Sequence, residues 1–169
     1  MPTEYHRSIK RAMLRFIPCP KLDGLASRPD FSGWGLSRNA VRLLLRDPNA
    51  FLLGGVFDRL VTVNRAWECP ALLADRLGHL DVRRIAKMSE RQLARVLGRQ
   101  SDARALHRFP SMMARCVISA CKRLVNQYDG SAANIWKRNP GANEVLRRLD
   151  EFEGISQKIA HMVERMGRH

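Results

Sequence analysis

Signals that start and stop helices recur about every ten to twenty residues along this chain, and no other local feature restricts its fold as tightly. Ser37 is placed to cap a helix carrying Val41, Leu44 and Leu45. Asp47-Pro48 supplies an N-cap followed by proline at the first helical position, opening a helix expected to run to about Leu60. Thr62 starts a third through Trp67, Pro70 is expected to break and restart it, and Gly78 fits its C′ position. Asp81 caps a turn with Val82 and Ile85, and Ser89-Glu-Arg-Gln92 has capping-box spacing ahead of Leu93, Val96 and Leu97, with Gly98 at the end. After a loop over 99–109, Pro110 opens the longest helix, to about Tyr128, which Asp129-Gly130 ends. A short turn over 132–137 follows, and Asn143 is expected to cap the next helix. The reading is an all-α fold. Val56 to Val63 is rich enough in Val and Phe to suggest a strand, but its length and flanks favour helix, leaving a sheet as the minor alternative.

Within 169 residues there is room for one domain with a sizeable core. Residues 1–36, punctuated by Pro18, Pro20, Gly24, Pro29, Gly33 and Gly35, read as an N-terminal helix and loop packed on a body spanning 37–169. Lys and Arg number 30 against 16 Asp and Glu, a net charge of +14, which fits a polyanionic partner, most simply nucleic acid. The arginines are spread along the chain without long like-charge blocks, so the charge belongs to folded surface. Apolar runs such as Val41 to Leu45 are cut by Arg and are far shorter than the ~20 residues of a membrane span. Without an apolar leader in residues 1–20, an intracellular location in cytoplasm or nucleoid is expected. Cys19, Cys69, Cys116 and Cys121 lack C-x-x-C spacing, so neither a metal site nor a disulfide framework is expected. Met113, Cys116, Val117, Ala120, Cys121 and Leu124 form a helical stripe of core character.

The most informative short segment is Leu149-Asp-Glu-Phe-Glu-Gly-Ile-Ser-Gln-Lys158. Val145, Leu146 and Leu149 before it, and Ile159, Met162, Val163 and Met166 after it, fall at helical spacing, so two amphipathic helices flank a turn over Phe152 to Ser156. Gly154 accepts φ > 0, Ile155 plugs the gap between the helices, and Ser156 caps the second helix. Free backbone N–H groups there, with Gln157 and Lys158 in the first turn, make a ready site for a phosphate oxygen. An ordinary link between two helices, with Lys158 in solvent, is the other reading of the same turn.

Many short helices, a basic surface and a hairpin of this form over about 143–166 resemble the helix-hairpin-helix DNA glycosylase superfamily, in particular its endonuclease III-like members. Two further segments carry the resemblance. Leu52-Leu-Gly-Gly-Val-Phe-Asp-Arg-Leu-Val-Thr-Val-Asn-Arg-Ala66 is similar to the family's early helix, loop and next helix, and Leu106-His-Arg-Phe-Pro-Ser-Met-Met-Ala-Arg115 to the start of its central helix. The resemblance implies a monomeric base-excision-repair protein that flips a damaged or mispaired base from duplex DNA and cleaves its glycosidic bond. It implies Arg59 or Leu60 as the wedge that enters the vacated stack, Gly154, Ile155, Ser156 and Gln157 as backbone contacts, and Lys158 as the nucleophile of an abasic-site lyase.

The chain also departs from that pattern. It ends at His169, before the segment that bears the family's catalytic aspartate; the cysteine-ligated iron–sulfur loop is missing, so no cofactor is expected; and Ser156 replaces the usual second hairpin glycine. Two readings follow: a glycosylase or lyase working through Lys158, and a non-catalytic DNA-binding module derived from that family. His107, Trp67 and Trp136 are read as structural or surface residues, and His161 and Glu164 as surface ones.

Overall fold

A computed structural model of the chain describes residues 31, 33–101, 103–138 and 140–157. These form α1 (Arg38–Arg46), α2 (Pro48–Phe57), α3 (Val63–Leu77), α4 (Val82–Ile85), α5 (Glu90–Leu97), α6 (Pro110–Gln127), a 3-10 turn (Ala132–Ile135) and α7 (Ala142–Asp150). Among the described residues there is no strand, only an isolated bridge between Gln100 and Ala103. The all-α reading therefore holds for this part of the chain.

Most of the local signals act as the sequence predicts. The Ser37 hydroxyl accepts from the N–H of Ala40 at 3.1 Å, the Asp47 carboxylate from that of Asn49 at 2.8 Å, and the Asp81 carboxylate from that of Arg83 at 2.8 Å. Ser89 and Gln92 form a complete capping box, and Gly78 takes the left-handed conformation at φ 73.

Four expectations are corrected. The helix opened by Asp47-Pro48 stops at Phe57, not near Leu60, because an inverse γ-turn centred on Asp58 (φ −75, ψ 57) carries an Arg59 N–H to Phe57 carbonyl bond of 2.7 Å. The segment from Val56 to Val63 is accordingly neither helix nor strand through its middle. Pro70 lies inside an unbroken α3: with Trp67, Cys69, Ala71 and Leu73 all buried around it, packing outweighs the lost backbone bond. Asn143 is the second residue of α7, whose N-cap is Gly141.

Two helices organise the interior. In α2 every residue from Ala50 to Phe57 is buried, as expected of a helix that is apolar all round, and it packs on α1, α3, α6 and the 3-10 turn. In α6 the predicted stripe of Met113, Cys116, Val117, Ala120, Cys121 and Leu124 is wholly buried. Desolvation pushes the Cys121 thiol up to about 12, so it packs as an apolar group. An aromatic cluster closes the other side of α2. Trp67 lies 5.0 Å from Phe51 and 5.8 Å from Trp34, whose ring in turn meets Phe31 edge-on at 5.4 Å. The expected N-terminal helix over the first part of residues 1–36 lies outside the described residues.

The contact that seats this cluster is Gly54 of α2, where a Cβ would come within 2.7 Å of Trp67 Cε3. A helix-interior Gly→Ala exchange ordinarily gains about 1 kcal/mol, whereas overpacking a close-packed core costs ~1–3 kcal/mol. Gly54→Ala is therefore expected to lower the urea unfolding midpoint. A rise in that midpoint at unchanged slope would show that Trp67 yields freely and that this contact does not organise the core.

Candidate nucleic-acid interface

The turn after α7 is fixed from below by its own side chains. Phe152 is buried and stacks on Tyr128 at 5.7 Å, with the Arg123 guanidinium 5.9 Å from its ring centre, and Ile155 is buried as the predicted plug. Gly154 has φ 100, and a Cβ there would stand 3.2 Å from both Cys116 Cβ of α6 and Val56 Cγ1 of α2. Backbone conformation and space thus both call for glycine. Ser156 and Gln157 are exposed. Lys158, the expected second helix with Ile159, Met162, Val163 and Met166, and His161 and Glu164 lie outside the described residues.

The loop between α2 and α3 holds the other pair of predicted site residues, and both are exposed. Leu60 is 68% exposed and has φ 58, a left-handed conformation that is unusual for a branched apolar residue. One side chain holds the loop from inside. His107, 1% exposed, receives the Phe109 N–H on Nδ1 at 3.1 Å, and its Nε2 lies 3.0 Å from the Arg59 carbonyl. A nitrogen that accepts carries no proton, so the neutral ring bears its hydrogen on Nε2 and donates it to Arg59. Burial depresses the His107 pKa below 6.5 and keeps this tautomer in place.

These segments converge on the first half of α6. Val56, which touches Gly154, lies three residues before Arg59 in the chain. The Arg59 guanidinium and the Glu153 carboxylate both act on the Cys116 thiol, which burial raises. Phe109, 40% exposed with the Arg108 guanidinium 5.4 Å from its ring centre, joins Leu60 as the second large exposed apolar side chain among the described residues. His107 lies between them and bonds to both loops.

The three glutamates beside the turn are paired with arginines. Arg115 pairs with Glu153 at 2.8 Å and Arg123 with Glu151 at 2.9 Å. Arg147 pairs with Glu144 and with Glu151, and hydrogen bonds from Arg147 and Arg148 hold Glu144 down at about 2. Asp150, exposed at the end of α7, is the carboxylate there without an ion pair among the described residues.

Two roles were not readable from the sequence. Arg65 and Arg76 of α3 cap the loop after α5: Arg65 donates to the carbonyls of Ala105 and Leu106, and Arg76 to those of Gly98 at 2.8 Å and Arg104 at 2.6 Å. His107 gave no local signal because its two partners, Arg59 and Phe109, are brought to it by different segments. Among the described residues no group of His, Cys, Asp and Glu could hold a metal ion. No family model, curated protein or solved structure matches the chain.

A pH dependence follows from His107. Its folded-state pKa is depressed, so the unfolded chain binds this proton first, and stability is fully present above about pH 6.5 and falls as the pH drops from there toward the folded value. Protonation would also put a second donor against the Phe109 N–H. Urea midpoints measured at pH 7.5 and pH 5.5 are expected to fall for the wild type and to fall less for His107→Gln. Equal losses in the two proteins would mean that His107 is not the titrating group.

Proposed function

We propose that the chain is a DNA-binding base-excision-repair protein of glycosylase type, acting on damaged or mispaired bases in duplex DNA. The observation that carries this reading is Leu60: an apolar side chain offered to solvent on a left-handed backbone. Strain of this kind costs on the order of 1–3 kcal/mol and persists where surrounding structure enforces it, often at functional sites. Here His107 supplies the enforcement. In a flipped-base complex Leu60, or Arg59 beside it, fills the vacated stack and offsets part of the unstacking cost. Ser156 and Gln157 present their backbone to a phosphate, and the +14 charge of the chain supplies general attraction to the duplex. Gly154 serves this interface from beneath, as the residue that lets the turn approach α6.

Catalysis is assigned to Lys158 on the strength of its position in Gly154-Ile-Ser-Gln-Lys158. An amine that attacks C1′ of an abasic site displaces the sugar oxygen and loses water to give a Schiff base, which borohydride reduces to a stable adduct. Borohydride trapping on a duplex bearing an abasic site is expected to give a covalent adduct that Lys158→Ala abolishes. Binding without an adduct would assign the chain to non-catalytic modules of the same kind, and absence of duplex binding would dismiss both. Leu60→Ala is expected to weaken binding to the abasic duplex by roughly tenfold relative to an undamaged one, or ~1.4 kcal/mol. Equal weakening on both duplexes would remove Leu60 from the wedge role.

A further inference from the structure

Arg38, Arg42 and Arg46 succeed one another at four-residue intervals on α1, and all three are exposed. At 1.5 Å of rise per residue they stand about 6 Å apart along the axis, in one row. The opposite side of the helix is seated in the core through Ala40 and Leu44, so the row cannot turn inward. Among the described residues none of the three has a carboxylate at ion-pair distance, whereas Arg83, Arg115, Arg123, Arg147 and Arg148 all do.

The acids at the two ends of α1 are engaged elsewhere. Glu68 of α3 accepts from the N–H and hydroxyl of Ser37, and Asp47 accepts from the N–H of Asn49. Like charges one turn apart repel along this row, and Arg38 sits in the first turn, where the helix dipole disfavours a cation, while Arg46 in the last turn is favourably placed. A line of anions along the row relieves both. Guanidinium groups match phosphate oxygens in bidentate fashion, and the only other exposed residue of the helix is Asn39, so the face offers neither a stacking ring nor an apolar anchor. The absence of exposed apolar side chains also makes it a poor match to a lipid surface.

We propose that the outer face of α1 is a second nucleic-acid contact, a row of three guanidiniums that grips the phosphate backbone without reading sequence. This rests on the reading of the chain as a duplex-DNA binder, but it uses residues separate from the turn at Gly154 and from Leu60.

The test is the salt dependence of binding of the full chain to an undamaged duplex. Each phosphate contact contributes about 0.9 to the slope of log affinity against log salt, so R38Q/R42Q/R46Q is expected to reduce that slope by about 2 to 3, while R38K/R42K/R46K largely retains it. An unchanged slope in the Gln variant, with its unfolding midpoint also unchanged, overturns the proposal. Gln157→Glu separates the two readings. If it leaves binding intact while the α1 variant lowers the slope, the turn is not the DNA site and the α1 contact stands; the converse removes α1. Wild-type binding to vesicles of anionic lipid with none to duplex would overturn both.

Discussion

The close seat of Gly154 on Val56 and Cys116 is the constraint on which the candidate interface depends. A Cβ at that position would be strained by the backbone's φ of 100 and would press on Val56 and Cys116, in a turn whose Ile155 and Phe152 are buried. Phe152 in turn carries the stacking contact to Tyr128 at the far end of α6, so the one helix supports the turn at both ends. Val56 belongs to α2, which is buried over almost its whole length and can shift only by disturbing the aromatic cluster around Trp67. The turn is therefore referenced to the rigid part of the molecule. A surface that must meet a phosphate through backbone groups needs this support, because those groups cannot adjust by changing rotamer.

Leu60 is held differently. The inverse γ-turn at Asp58 throws the chain out of α2, the His107 bond to the Arg59 carbonyl fixes where it goes, and Val61 packs back against the core. The same imidazole holds the N–H of Phe109 at the start of α6. One buried ring thus links the tip of one loop to the helix that supports the other. Because both of its nitrogens are committed, the ring works only as the neutral Nε2–H form, and the burial that depresses its pKa is part of the device.

The fold class was legible because its signals are local. Caps at Ser37, Asp47, Asp81 and Ser89, and the left-handed Gly78, depend on residues within a turn of one another, and each acts where the sequence places it. The misreadings have different physical causes, one non-local and one a local turn without a clear sequence signal. Pro70 reads as a breaker, but buried side chains on both sides of it keep α3 continuous. The segment after Phe57 is rich in apolar residues, yet a three-residue turn ends the helix and leaves Leu60 in solvent. The turn itself was readable through Gly154 and Ile155. The seat of that turn on Cys116 and Val56, and the His107 bond to the Arg59 carbonyl, were not, since these residues share no common spacing.

Charge is unevenly arranged on this surface, and that bears on what it can hold. The carboxylates of Glu144, Glu151 and Glu153 cluster around α7 and the turn, and arginines of α6 and α7 compensate them locally. Such compensated pairs at partly exposed positions contribute little to stability, typically under about 1 kcal/mol each. On α1 the balance is reversed: three arginines face solvent with no ion-pair partner among the described residues, while Glu68 is bonded to Ser37 and Asp47 caps α2. A uniformly basic surface would attract any polyanion equally from every side. On the proposed DNA-binding reading, a geometrically fixed turn and a separate uncompensated arginine row would divide the task, the row supplying salt-sensitive attraction and the turn a contact that depends on position.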